Sequence, residues 1–258
     1  VMSNTILSYS DHYHFILFAR CLAAVGGVFS LITFVLLTRM YFSAEYQGTL
    51  IGGGALIAGF AASLSFSVTG LWHGSWHEFY QELLLVSCVI SLAIMMFIPS
   101  DLRKARQDNI SLKSMYDLLK DPYIFTLVLF CACVYSGIQY FSSNEIFIFL
   151  KLKSITYDES RILMFSSWIG YAIGCMLSGC FADSIRRPDH CLKVYSMGSF
   201  MCFMCIVYFK IQFLLAIFLF TGIGVAASGI IIALTVLNLL LDDQRFIYAT
   251  CMVNFSVG

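Results

Sequence analysis

Apolar residues run along this chain in long unbroken stretches, and the polar residues collect in short breaks between them. Stretches long enough to cross a hydrocarbon core, which takes about 20 helical residues, run from Tyr13 to Thr38, Thr49 to Trp72, Glu82 to Ile98, Tyr123 to Leu150, Arg161 to Ala182, Leu192 to Phe209 and Gln212 to Leu241. An eighth begins at Phe246 and has reached only Gly258. The pattern predicts an all-α polytopic membrane helical bundle of seven spans and a partial eighth.

The breaks differ in charge, and that difference predicts an orientation. Arg39, Arg103, Lys104, Arg106, Lys113, Lys120, Arg186, Arg187, Lys193 and Arg245 fall in the connections after the odd-numbered spans. The alternate connections hold only Lys151, Lys153, Arg161 and Lys210. Positive charge is retained in the cytoplasm, so the first set marks the inner side and the N-terminal end lies outside. Pro99, Pro122 and Pro188 sit at inner ends of spans, where a missing backbone donor costs little. Trp72 and Trp76 lie at the outer surface, as an interfacial aromatic belt would.

The long polar stretch from Ser100 to Asp121 divides the chain into residues 1–99 with three spans, a connection over 100–121, and residues 122–258 with four spans and the start of a fifth. Within it, Ser111 can cap a short helix whose Leu112, Met115, Leu118 and Leu119 share one face. That helix is expected to lie on the inner membrane surface as a linker between two bundles.

Composition narrows the class further. Hydrophobic residues make up 60% and charged residues 12%, with a mean hydropathy of +0.85, far from the quarter or so of charged residues in a soluble domain. Formal net charge is zero, so neither nucleic acid nor an acidic surface is expected as a partner. Most of the 10 cysteines lie inside apolar runs as small packing residues, and no disulfide framework is expected. Cys131-x-Cys133 and Cys202-x-x-Cys205 lie mid-span without partner ligands, so no metal and no cofactor is expected. No nucleotide loop, zinc signature or nucleophile elbow occurs, which argues against an enzyme and against ATP as the energy source. The chain opens at Val1 on a polar stretch unlike a signal peptide and stops within an apolar run, and is read as an internal piece of a longer protein.

The segment from Ser166 to Arg187 carries the most specific pattern. Gly170, Gly174 and Ser178 recur every four residues, the spacing that lets membrane helices approach backbone to backbone. The helix then ends in Asp183, Arg186 and Arg187, an arrangement suited to a charged latch between helix ends. Gly179 to Arg187 resembles the loop motif of the major facilitator superfamily, Gly-x-x-x-Asp-Arg-x-Gly-Arg-Arg, in its glycine, aspartate and closing arginines; it carries Ser184 where a basic residue is usual and lacks the second glycine. Ala19 to Gly27 is similar to that family's fourth-helix motif, an arginine followed by small residues, and Ala44 to Gly48 resembles the connection that follows it. The resemblance implies two six-helix bundles, of which this chain covers helices four to ten and part of eleven.

It also implies alternating access around a central cavity, and several residues are candidates for that work. A guanidinium within a span costs at least about 2.5 kcal/mol, so Arg20 is expected either to face the substrate or proton pathway or to snorkel outward. Tyr135, Ser136, Gln139, Ser142 and Ser143 share one face of a continuous helix, with Asn144 and Glu145 to its two sides. Gln139, Ser142, Ser143, Asn144 and Glu145 are therefore expected to line the pathway, and Glu145 to carry a proton. Asp183, Arg186 and Arg187 are expected to form the cytoplasmic gate. His73, His77 and Glu78 could form an external cation site, but interfacial polar residues are the simpler reading. The second span lacks the Gly-Pro pair frequent in exporters of this family, which favours uptake of a small polar solute by proton symport. The expected setting is the plasma or inner membrane and the expected state a monomer, with an exporter, a seven-helix receptor and a lipid-modifying enzyme as the alternatives.

Overall fold

Each apolar run forms helix. The computed structural model describes residues 1–71, 74–97, 112–141, 145–184 and 188–257. In order, these form α1 (Met2–Tyr9), α2 (Tyr13–Tyr41), a 3-10 turn (Ala44–Tyr46), α3 (Gln47–Leu71), α4 (Trp76–Phe97), α5 (Leu112–Leu119) and α6 (Pro122–Phe141). Then follow α7 (Glu145–Leu152), α8 (Tyr157–Ser184), α9 (Pro188–Tyr208), α10 (Phe213–Ala227), α11 (Gly229–Leu240) and α12 (Asp243–Val257). Among the described residues, seven segments are long and apolar enough to cross a membrane, with Phe213–Leu240 counted as one.

Two departures from the sequence reading have local causes. The polar start forms α1, which hides its polarity by pairing: Asn4 Nδ2 donates to Ser87 Oγ of α4 at 2.9 Å, and Leu7 beside it is buried. The fourth run, expected as one helix from Tyr123 to Leu150, holds α6 and α7, and residues 142–144 between them lie outside the described residues. The last full span breaks at Ser228, whose backbone N–H is shared between Gly224 and Val225 carbonyls while its hydroxyl donates to Val225 O at 2.6 Å. A serine that satisfies the preceding turn in this way bends the helix.

Helix ends follow the residues at hand. Pro122 and Pro188 are the first residues of α6 and α9, where no amide donor is missed. Asp121 Oδ1 accepts the Tyr123 N–H at 2.9 Å. Thr156 and Glu159 close a reciprocal capping box on α8, as Ser75 and Glu78 do on α4. Glu78 is thereby occupied as a cap, and His73 lies outside the described residues. Lys153 donates from Nζ to the Val207 and Phe209 carbonyls at the end of α9, at 2.6 and 2.8 Å, the favourable place for a cation. In α5, Leu118 is buried but Leu119 is exposed, so the apolar face is narrower than expected.

Contacts divide the chain into two compact units, residues 1–30 with 71–110, and residues 31–70 with 111–258. The core of the second is built on α6, α8, α10, α11 and α12, with Phe141, Ile138, Phe220 and Phe246 fully buried. Helix α8 is its spine. Toward α10, a Cβ on Gly174 would stand 3.0 Å from the Val225 Cα, and one on Gly224 would stand 2.7 Å from the Tyr171 amide nitrogen and strike the Ser167 carbonyl. Toward α3, a Cβ on Gly59 would stand 2.9 Å from the Ala172 Cα, and one on Gly179 would stand 3.1 Å from the Thr49 Cα. Contacts this close give membrane helices their dispersion energy where no hydrophobic effect drives them together.

Gly224→Val must displace backbone, so it is expected to destabilise by about 1–3 kcal/mol or more. Gly198, where an added Cβ would meet nothing within 4 Å, is the control. Gly198→Ala should be neutral or slightly stabilising. Thermal unfolding of the purified variants in detergent checks both; equal melting temperatures would refute the close-packed α8–α10 contact.

Candidate functional site

The sharpest polar constellation sits where α8 ends beside the start of α3. A glycine and an aspartate four residues apart on a helix lie on one face, and here each does half of one job. Gly179, having no side chain, admits the backbone of Gly48: a Cβ on Gly48 would lie 2.9 Å from the Gly179 carbonyl oxygen. Asp183, one turn on, then reaches the first amides of α3. Its Oδ1 accepts the Gly48 N–H at 2.9 Å, and its Oδ2 accepts both the Thr49 N–H at 2.7 Å and the Thr49 hydroxyl at 2.6 Å. The carboxylate thus answers donors that a helix start leaves open and sits at the positive end of its dipole.

Three further residues extend this contact. Gln47 is buried, donates to the Phe42 carbonyl at 2.9 Å and accepts from the Asn238 side-chain amide of α11. Arg39, in the last turn of α2, donates from Nη2 to the Leu241 carbonyl at 2.9 Å and lies 4.8 Å over the Phe246 ring. It thereby holds the C-terminal end of α11 and the start of α12 together, in the place a helix dipole favours for a cation. Sequence reasoning counted Arg39 only toward orientation, took Gln47 only as part of the Ala44–Gly48 resemblance, and missed Thr49 and Asn238, which carry no charge and no motif. Arg186 and Arg187 lie outside the described residues.

The candidate pathway residues fall in both units. In the first, Arg20 donates from Nη2 to the Tyr80 hydroxyl of α4 at 3.0 Å. Its partner among the described residues is a phenol, not an acid. Tyr80 also packs edge-on against Trp76, centroids 6.1 Å apart, and His77 lies 3.8 Å from Trp76 by centroid and 3.2 Å from the Asp11 carboxylate. Tyr80 is one turn beyond Trp76, and a belt residue gave no sign of pairing with an arginine 60 residues earlier.

In the second unit, Gln139 and Ser136 are exposed on α6 and Tyr135 is half-buried, while Cys131, Val134, Ile138 and Phe141 face the core. Ser136 and Gln139 thus lie on the side of α6 turned away from that core, and Tyr135 packs against it. Ser142, Ser143 and Asn144 lie outside the described residues, and Glu145 is the first residue of α7.

The sequence model of the Major Facilitator Superfamily matches residues 1–254. The chain belongs to the Major Facilitator Superfamily. It is thus a multi-pass membrane protein of a family of secondary transporters, which carry small-molecule substrates and are not enzymes. No curated protein matches the chain.

If the clasp is formed as described, Asp183→Ala and Thr49→Val act on one interaction. Each should destabilise, and the double variant should lose less than their sum by about 1 kcal/mol. A double-mutant cycle on unfolding midpoints of the purified protein checks this; strict additivity would mean that the carboxylate and Thr49 do not meet.

Proposed function

We propose that the protein takes up a small polar solute by proton symport across the plasma or inner membrane, working by alternating access as a monomer. Residues 1–99 belong to one bundle, 100–121 to the connection and 122–258 to the other. Asp183, with Arg186 and Arg187, gates the cytoplasmic side. Arg20 and the face carrying Gln139, Ser142, Ser143, Asn144 and Glu145 border the pathway, and Glu145 carries the proton.

The observation that carries this reading is the Asp183 clasp, which joins α8, from after the polar connection, to α3, from before it. A contact between the two halves that is polar, terminal and free of any counter-ion among its described partners can open by exchanging its donors for water. Positive charge concentrated at that end of the spans supports its cytoplasmic placement. The run Gly52-Gly53-Gly54 in α3, with no proline in the helix, supports uptake over export.

Vesicles bearing the full-length protein should accumulate at least one solute from a panel of amino acids, carboxylates and betaines only under an inward proton gradient. Arg20→Ala and Glu145→Gln proteins that still reach the membrane should lose that accumulation. Gradient-independent uptake, or none at all, would overturn symport. The gate has its own test. The Thr49 hydroxyl lies 3.8 Å from the Cys180 sulfur, so Thr49→Cys should form a disulfide with Cys180 under mild oxidant. Transport should then stop and return on reduction; a cross-linked protein that still transports would show that α3 and α8 need not part.

A further inference from the structure

A recess opens in the second unit where the end of α8 and the start of α9 stand over α11. It has a volume of about 280 Å³ and is lined by Phe181, His190, Cys191, Val194, Tyr195 and Ile232. Phe181 and Val194 form its rim, 54% and 69% exposed on helices that cross the membrane, and Ile232 is buried at its floor. The open surface runs on along α9, because an added Cβ on Gly198, one turn beyond Val194, would meet nothing within 4 Å. From His190 to Gly198 that is about 12 Å of helix.

The chain does not fill this space with its own side chains. The Tyr195 ring is backed by Gly229, where an added Cβ would stand 3.0 Å from the Tyr195 Cδ1, and its hydroxyl lies 2.7 Å from Ser178 Oγ. Held at both ends, the ring cannot swing outward. Water is a poor occupant, since it needs several polar partners; with the Tyr195 hydroxyl turned to Ser178, the lining offers only His190 and the weakly polar Cys191 thiol. An apolar recess that opens on the hydrocarbon is filled from the hydrocarbon. At its inner end the chemistry changes. His190, in the first turn of α9, and Lys193, nearly one turn on, are both exposed, and neither has a hydrogen-bond or ion-pair partner among the described residues. Helical side chains lean toward the N-terminus, so the Lys193 stem returns toward the level of His190. The acid of that turn, Asp189, is engaged elsewhere: its Oδ1 accepts the Tyr123 hydroxyl of α6 at 2.9 Å.

We propose that this recess is a binding site for an anionic phospholipid of the cytoplasmic leaflet, with one acyl chain against Val194, Tyr195 and Ile232 and the phosphate at His190 and Lys193. Anionic lipids are the ones that leaflet presents, and a lysine reaches their headgroups by laying its stem along apolar surface. A zwitterionic lipid would fill the wall equally well but bring its own cation to a basic mouth. The inference rests on the cytoplasmic placement of these helix ends and on no particular solute or coupling ion.

The test reconstitutes the full-length protein in phosphatidylcholine vesicles carrying a trace of phosphatidylglycerol with a diazirine on its acyl chain, and maps the photo-adducts by peptide sequencing. The peptides bearing Phe181 and Val194 should be labelled saturably, and unlabelled phosphatidylglycerol should compete better than phosphatidylcholine. Replacing His190→Gln together with Lys193→Gln should cut that advantage roughly fivefold or more, the worth of one lysine near an anionic surface. Val194→Trp should abolish the labelling, whereas Leu214→Trp, at an equally exposed position on α10, should not. Labelling spread over exposed positions without saturation would mean annular lipid only. Equal competition by phosphatidylcholine or by dodecanol would mean a recess that does not read the headgroup, and unchanged labelling in Val194→Trp would put the lipid elsewhere. Each of these overturns the site. Solute uptake enters none of the readouts: a protein that labels as expected and accumulates nothing keeps the site and loses the symport reading, while one that transports and labels without selectivity loses the site alone.

Discussion

The second unit is arranged around one carboxylate set against the first amides of a helix. Asp183 can reach Gly48 and Thr49 only because Gly179, a turn earlier, lets the two backbones touch, and only because Gly48 offers no side chain in return. Once α3 is drawn to α8 in this way, Gln47 stands at Asn238, and Arg39 at the end of α2 stands at Leu241 and Phe246. The clasp is strong enough to order these ends and weak enough to release them. Each of its three hydrogen bonds exchanges with water for a net cost of about 1–3 kcal/mol, and no buried counter-charge among its described partners has to be stranded when it opens.

Helix α8 presents two seams of small residues, and they are not equivalent. On the α10 side, Ser178 bonds both Tyr195 and Ser228, at 2.7 and 2.8 Å, in the middle of the packing. Because Ser228 donates its proton to the Val225 carbonyl, it must accept from Ser178, which in turn accepts from Tyr195. That chain of hydroxyls is fully used and ties α8, α9 and the α10–α11 break into one body. On the α3 side, the polar contacts of Asp183 and Thr49 gather at the end of the helix, and the length of the seam rests on bare approach at Gly52, Gly59, Ala172 and Cys175. A seam held by dispersion along its length and by hydrogen bonds at one end has only that end to release, and this difference between the two seams supports the proposal that α3 and α8 part there.

Much of this was written in the sequence, for reasons that can be stated. Spans are legible because lipid demands long apolar runs, and the clasp aspartate because a carboxylate at the end of a span needs donors. What the sequence hid was of two kinds. Polar residues whose partners are also uncharged, such as Asn4 with Ser87 and Gln47 with Asn238, leave no periodicity or charge signal. A break within an apolar run is equally silent: Ser228 looks like any packing serine until its hydroxyl is seen taking the Val225 carbonyl.

The charge state of the candidate residues then bears on the solute. Arg20 is held by the Tyr80 hydroxyl, which fixes the guanidinium without cancelling its charge. A carboxylate partner would have neutralised it and left nothing for a solute to meet; a phenol orients the group and leaves the positive charge available. Among the described residues no carboxylate answers that charge, so within the first unit Arg20 supports the anionic members, above all the carboxylates, of the small polar solutes proposed for this transporter.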